Sequence, residues 1–120
     1  MPPVLFLNME NCVFCQIIKG EIPTEFLYQD KEIVAFNDIN PKAPIHILVV
    51  PKRHIEKLQD VSDNEESLLG KILLAIKKIA ESQKIDKSGY RIIVNCGKGA
   101  GQVVPHLHFH LLAWPKSKRR

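Results

Sequence analysis

The chain has 120 residues, 45% hydrophobic and 25% charged, the balance of one globular domain with a core of its own. Its net charge of +4 comes from Lys116, Lys118, Arg119 and Arg120, which leave 13 basic against 13 acidic side chains elsewhere. A basic tail can attract nucleic acid or a membrane surface, but no aromatic residues interleave here, so a solvated tail is expected and nucleic acid is not an expected partner. No run of about 18 apolar residues exists to span a membrane.

Residues 1–10 are expected to be an N-terminal extension, with Met9 an alternative start. Val4-Leu5-Phe6-Leu7 is too short for a signal-peptide core and no basic residue precedes it, so a cytoplasmic protein is expected. Three cysteines (Cys12, Cys15 and Cys96) make an odd count, which argues against a disulfide framework. Cys12-Val13-Phe14-Cys15 opens the domain and leads into a short apolar turn or helix around Gln16-Ile17-Ile18. Phe26-Leu27-Tyr28 and Ile33-Val34-Ala35-Phe36 read as a hairpin around a turn at Asp30-Lys31. Pro41 and Pro44 break the next stretch. Ile45-His46-Ile47-Leu48-Val49-Val50 is a strongly apolar strand stopped by Pro51.

A helix is predicted from Ser62, where Ser62-Asp63-Asn64-Glu65 fits a capping box. Leu68, Leu69, Ile72, Leu73, Ile76, Ile79 and Ala80 recur at helical spacing and form one apolar stripe, which needs a sheet to cover. Tyr90 to Asn95 is the next strand, Cys96 to Gln102 a glycine-rich loop, and the apolar run from His106 the last strand. The order of hairpin, strand, helix and hairpin predicts an α+β domain with a mainly antiparallel five-stranded sheet and one long helix packed on it.

His106-Leu107-His108-Phe109-His110 carries the strongest chemical signal. On a strand, successive side chains point to opposite faces, so three imidazoles share one face and Leu107, Phe109 and Leu111 the other. Three buried core imidazoles would each need a separate partner, so chemistry or metal binding is favoured. Residues two apart lie roughly 6.5–7 Å from each other along a strand, an awkward span for three ligands of one ion. The preceding loop, Asn95-Cys96-Gly97-Lys98-Gly99-Ala100-Gly101-Gln102, offers glycine backbone amides and side-chain amides to an anion, although an ordinary hairpin loop has similar composition.

These segments resemble the histidine triad (HIT) nucleotide-binding proteins, closest to the Hint branch. The resemblance rests on Asn95, Gly97, Gly101-Gln102 and the run from His106 to Leu112. It extends to Cys12 through Ile18, Phe36 through Ile39, Pro41 through His46 and Val50 through His54. It covers about Asn11 to Leu112 and places a HIT domain at 11–113, followed by the basic tail from Trp114. The resemblance implies a purine nucleoside phosphoramidase or related nucleotidyl hydrolase. In that family the middle histidine, here His108, attacks the α-phosphorus, and water hydrolyses the nucleotidyl-imidazole intermediate. By position His110 and His46 would bind phosphate oxygens or assist the leaving group. Asn95, Gly101, Gln102 and Val103 would line the phosphate site, and Asp38 would hold the ribose. Phe14, Ile17, Phe36, Ile39 and Leu48 would wall the base, although core packing alone also explains each apolar residue. The family implies a homodimer whose two sheets join, with the C-terminal segment near the partner's site.

Cys12-x-x-Cys15 read alone fits redox, metal-binding or no role, and no thioredoxin-like βαβ pattern surrounds it. A tetrahedral zinc site needs two more ligands, and His54 and His106 are available. Bacterial relatives resembling this chain use those positions for structural zinc; the alternative is a pair of buried free thiols. Two departures from the family pattern stand out. Val103 replaces the Ser or Thr whose hydroxyl contacts phosphate, and Ala113-Trp114-Pro115 follows the triad almost at once, without the Gly-Gly turn and longer tail. Weak turnover by a nucleotide-binding regulatory module is therefore the alternative to a hydrolase, and a metalloenzyme using all three histidines as ligands is a third.

Overall fold

A computed structural model describes residues 11–115. The extension with Val4–Leu7 and Met9, and the four tail cations, lie outside the described residues. Helix α1 (Val13–Ile18) is followed by strands β1 (Tyr28–Gln29), β2 (Ile33–Asn37) and β3 (Ile45–Pro51). Helix α2 (Glu66–Ser82) then leads to β4 (Arg91–Ile93) and β5 (Phe109–Ala113). The five strands form one antiparallel sheet in the order β1-β2-β3-β5-β4. The expected α+β architecture is what forms.

Local chemistry sets the joints. Asp30 Oδ1 accepts from the backbone N–H groups of Glu32 and Ile33 at 2.8 and 2.9 Å, closing the first hairpin through a side chain. Ser62 and Glu65 form the capping box, with Ser62 N–H donating to Glu65 Oε1 at 3.0 Å, but the turn they cap is 3₁₀ and α2 begins only at Glu66.

The sheet is buried on both faces. On one, Ile72, Ala75, Ile76, Ile79 and Ala80 of α2 pack against Ala35, Ile47, Val49, Phe109 and Leu111. On the other, Phe14 and Ile17 of α1 and both α1 cysteines pack with Val34, Phe36, Leu48 and Val50. This double burial explains why β3 is apolar at nearly every position rather than alternating.

Three expectations are corrected. Leu73 belongs to the solvent side of α2, 51% exposed, because Ala75 takes the place on the core stripe. The strand predicted over 90–95 is only Arg91–Ile93, an outer strand paired on one side among the described residues. The last strand starts at Phe109, so His106 and His108 precede the ladder. The side-chain alternation nevertheless extends back beyond the ladder, with Leu107, Phe109 and Leu111 in the α2-side core.

The fold rests on the α2 contact. Ile76→Ala, at a position 1% exposed, is expected to cost about 2–5 kcal/mol in urea denaturation, whereas exposed Lys78→Ala stays within about 0.5 kcal/mol. Equal midpoints for the two variants would contradict this packing.

Candidate active site and adjoining metal-ligand cluster

The cleft lies on the α1 side of the sheet, with a volume of about 1090 Å³. Sheet register builds its floor. Phe36 pairs with Leu48, Leu48 with His110, and His110 with Ile93, so these four form one row across β2, β3, β5 and β4. Paired residues share a face, which brings His46 and Leu112 into the next row. Phe14 and Ile17 of α1 wall one end, and Asp38, Ile39, Asn95, Gly101, Val103 and His108 complete the predicted lining.

Each histidine is held in a defined tautomer. The carbonyl oxygen of His106 lies 2.7 Å from His108 Nδ1, so Nδ1 carries the proton and Nε2 keeps its lone pair. His46 Nδ1 accepts from the backbone N–H of Lys42 at 2.9 Å. Neutral His46 therefore carries its proton on Nε2, which donates to His110 Nδ1 at 2.9 Å; Asp38 Oδ2 lies farther off, 3.4 Å from the same nitrogen. His110 in turn carries its proton on Nε2. One neutral ring thus offers a nucleophilic nitrogen, and its neighbour, 4.9 Å away between centroids, offers an N–H.

Burial keeps these rings neutral. It lowers the His108 pKa below its usual value, against opposing help to the cation from the His106 carbonyl and Asp38. It takes His110 down to about 4, with His108 and His46 adding like-charge repulsion. His46 is lowered by burial, opposed by Asp38. The hydrogen-bonded set Asp38, His46 and His110 also meets the spacing of a metal group. The proton shared between His46 and His110 accounts for their closeness without an ion.

The glycine loop is more fixed than its composition suggests. A 3₁₀ turn spans Lys98–Ala100, flanked by Gly97 and Gly101 at φ 90° and 89°, where a side chain would be strained. The Gln102 side chain does not face the cleft: its Oε1 accepts from Gly97 N–H at 2.8 Å, and its Nε2 donates to the carbonyls of Glu56 at 2.7 Å and Val104 at 3.0 Å. Gln102 braces the loop through these three bonds. Val103 is 88% exposed at the cleft, and its side chain has no group to donate.

Cys12, Cys15, His54 and His106 converge beside the cleft, their four ligand atoms within 4.8 Å of one another. Cys12 caps α1, its sulfur accepting from Cys15 N–H at 3.4 Å. His106, fully buried, has Nε2 2.8 Å from the Pro51 carbonyl, so Nε2–H donates there and the Nδ1 lone pair faces Cys12 Sγ at 3.4 Å and Cys15 Sγ at 3.6 Å. His54 Nδ1 lies 3.2 Å from Cys15 Sγ. Burial takes the His106 pKa down to about 4 and, with the neighbouring Cys12, pushes the Cys15 thiol up to about 12. A bound cation reverses that last preference, since a coordinating thiol is deprotonated. Two thiols and two neutral imidazoles can hold a tetrahedral metal. The three triad histidines therefore face two different environments rather than one shared ion. Cys96 is exposed and outside both groups.

Sequence reasoning missed the backbone groups that orient the rings: the carbonyls of Pro51 and His106 and the Lys42 amide. Only structure reveals such contacts. It also missed Arg91 and Trp114, which line the far end of the cleft, with the Arg91 guanidinium 5.2 Å from the Trp114 ring centroid. Alternation from Ile93 was a usable signal for Arg91.

Known proteins resemble this chain in sequence and in fold. Residues 11–120 match a family model described as scavenger mRNA decapping enzyme C-terminal binding. The chain is 45% identical over 103 residues to the purine nucleoside phosphoramidase of Escherichia coli K12, covering 86% of this chain and 87% of that protein. It is 53% identical over 104 residues to a HIT-like protein of Buchnera aphidicola subsp. Baizongia pistaciae, covering 87% and 93%. The crystal structure of a HIT family hydrolase from Legionella pneumophila Philadelphia 1 superposes with a TM-score of 0.85 at 45% identity, covering 88% of this chain and 95% of that one. Fold, triad and sequence agree: the chain belongs to the histidine triad family.

Proposed function

We propose that this protein is a nucleotidyl hydrolase that cleaves the bond between the α-phosphorus and an amine in purine nucleoside phosphoramidates or related conjugates. The observation that carries the reading is the bond from His108 Nδ1 to the His106 carbonyl, which leaves Nε2 free in a cleft also lined by His110 and Asn95. The similarity to a purine nucleoside phosphoramidase supports the substrate class.

In this reading the base lies between Phe14, Ile17, Phe36, Ile39 and Leu48, and Asp38 accepts from the ribose hydroxyls. The lone pair of His108 Nε2 forms a bond to phosphorus, and the phosphorus–nitrogen bond breaks with its electrons on the leaving amine. Phosphate charge entering a cluster of neutral imidazoles favours protonation of one of them. His110 then gives that proton to the leaving nitrogen, with His46 holding the ring. Asn95 and the backbone amides beside Gly101 stabilise the phosphoryl oxygens. Water, giving a proton to His110, attacks phosphorus; the bond from phosphorus to His108 Nε2 breaks with its electrons on the ring, releasing a nucleoside monophosphate and restoring His108.

We further read the four-ligand cluster as a structural zinc site. Ideal tetrahedral zinc, with Zn–S about 2.3 Å and Zn–N about 2.0–2.1 Å, places sulfur and nitrogen ligands about 3.6 Å apart. The three sulfur–nitrogen distances of 3.2, 3.4 and 3.6 Å fit that edge. Zinc there holds α1 to the nucleophile's segment. A homodimer is also inferred: β4 is an outer strand, and the apolar side chains of Leu73, Leu74 and Ile92 are exposed. Among the described residues no helix is long and apolar enough to cross a membrane.

The fully exposed Val103 favours a second reading, a nucleotide-binding module with little turnover, because no hydroxyl is offered there. Restoring one with Val103→Ser is expected to raise kcat about tenfold or more if the missing donor limits the rate. An unchanged kcat would show that this position does not set turnover.

Assayed by release of AMP from adenosine 5′-phosphoramidate, His108→Ala is expected to lose activity by about 10³-fold or more while still binding AMP. Undiminished hydrolysis by this variant rules out the nucleophile. Because neutral His108 is the reactive form and its pKa is lowered, kcat/KM should hold through pH 6.5 and fall only at lower pH. A pH–rate profile with its acid midpoint above 6.5 would contradict the buried, neutral nucleophile.

A further inference from the structure

The ladder does not hold the segment that carries His108. Its last pair on that side is Val49 with Phe109, so His106, Leu107 and His108 depend on other contacts. Leu107 N–H donates to the Ile55 carbonyl at 2.6 Å, next to His54. The His106 ring is held at one nitrogen by the Pro51 carbonyl and faces both cysteines with the other. His108 then hangs from the His106 carbonyl. Phe14 sits between Cys12 and Cys15 in sequence, and its ring meets both imidazoles edge-on, with centroids 5.9 Å from His106 and 5.1 Å from His108. Every contact that orients His108 from this side runs through a cluster ligand or a residue adjoining one.

We propose that the Cys12, Cys15, His54 and His106 cluster is a positioning centre for His108, so that a tetrahedral divalent cation bound there and a nucleotide bound in the cleft strengthen each other's binding. This rests on the nucleotide reading given above. With a cation, the His106 ring is fixed at both nitrogens, and its carbonyl and the Phe14 ring are fixed with it. Without one, Nδ1 of His106 is held only by a weak thiol hydrogen bond, from Cys12 Sγ at 3.4 Å, while Cys15 Sγ pairs with His54 Nδ1 at 3.2 Å. The cleft then has to order the His106–His108 segment when the nucleotide arrives. The coupling is reciprocal: the factor by which cation tightens nucleotide equals the factor by which nucleotide tightens cation. A clamp that serves stability alone would leave both affinities independent. His106 acts here as a positioning residue, not a group that touches substrate.

The test uses the full chain and two probes, zinc and AMP. AMP affinity is measured by calorimetry for zinc-loaded and zinc-stripped protein, and zinc affinity by competition with a chromophoric chelator with and without saturating AMP. Both are expected to change by the same factor, about fivefold or more. Affinities that agree within about twofold overturn the proposal while leaving the nucleotide reading intact. Failure of AMP to bind either form overturns both. If circular dichroism shows that stripping unfolds the chain, cobalt(II)-loaded protein supplies the readout. AMP should then shift the ligand-field absorption bands and slow cobalt loss to the chelator about fivefold or more. Unchanged bands and an unchanged loss rate overturn the coupling.

Discussion

The hydrogen bond from His108 Nδ1 to the His106 carbonyl ties the path of the backbone to the reactivity of one side chain. Imidazole can carry its proton on either nitrogen at nearly equal cost, and a fixed acceptor removes that choice. The acceptor is a backbone carbonyl two residues back, so the bond needs the segment held although the ladder has ended. The carbonyls of Pro51 and Ile55, at and just beyond the end of β3, meet that need. The cleft, the cysteine cluster and the position of α1 all depend on this short stretch.

Electrostatics follow from burial more than from charge pairing. Three imidazoles, those of His46, His108 and His110, lie close together with a carboxylate, Asp38, at their edge. A protonated ring here would repel its neighbours, so the resting cluster is neutral, and His46 uses one nitrogen as donor and the other as acceptor. Among the described residues no buried side-chain nitrogen or oxygen is left without a hydrogen-bond partner. The cluster is neutral at rest, with His108 Nε2 left open to the cleft.

Much of this was legible in sequence. The apolar run of β3, the stripe of α2 and the alternation of the triad fixed the α+β architecture and brought the cleft residues to one face. The resemblance supplied the pairing of His54 and His106 with the two cysteines, which no local pattern dictates because their contacts span as many as 94 positions. Leu73 was misplaced because Leu, Ile and Ala at adjacent helical positions define a stripe too broad to locate its edge. The start of β5 was misplaced because alternating side chains do not require ladder hydrogen bonds. The bracing of the loop by Gln102 was not legible, because side-chain amides serve turns and anions equally well and its three partners lie as far off as Glu56.

Those three partners carry a consequence for binding. Gln102 closes the glycine loop on itself and anchors it to Glu56, so the loop's freedom is lost when the chain folds. A loose glycine loop would surrender that entropy on meeting its ligand, and affinity would fall accordingly. Here the loop is preorganised: glycine permits the backbone shape, and the three hydrogen bonds of Gln102 keep it.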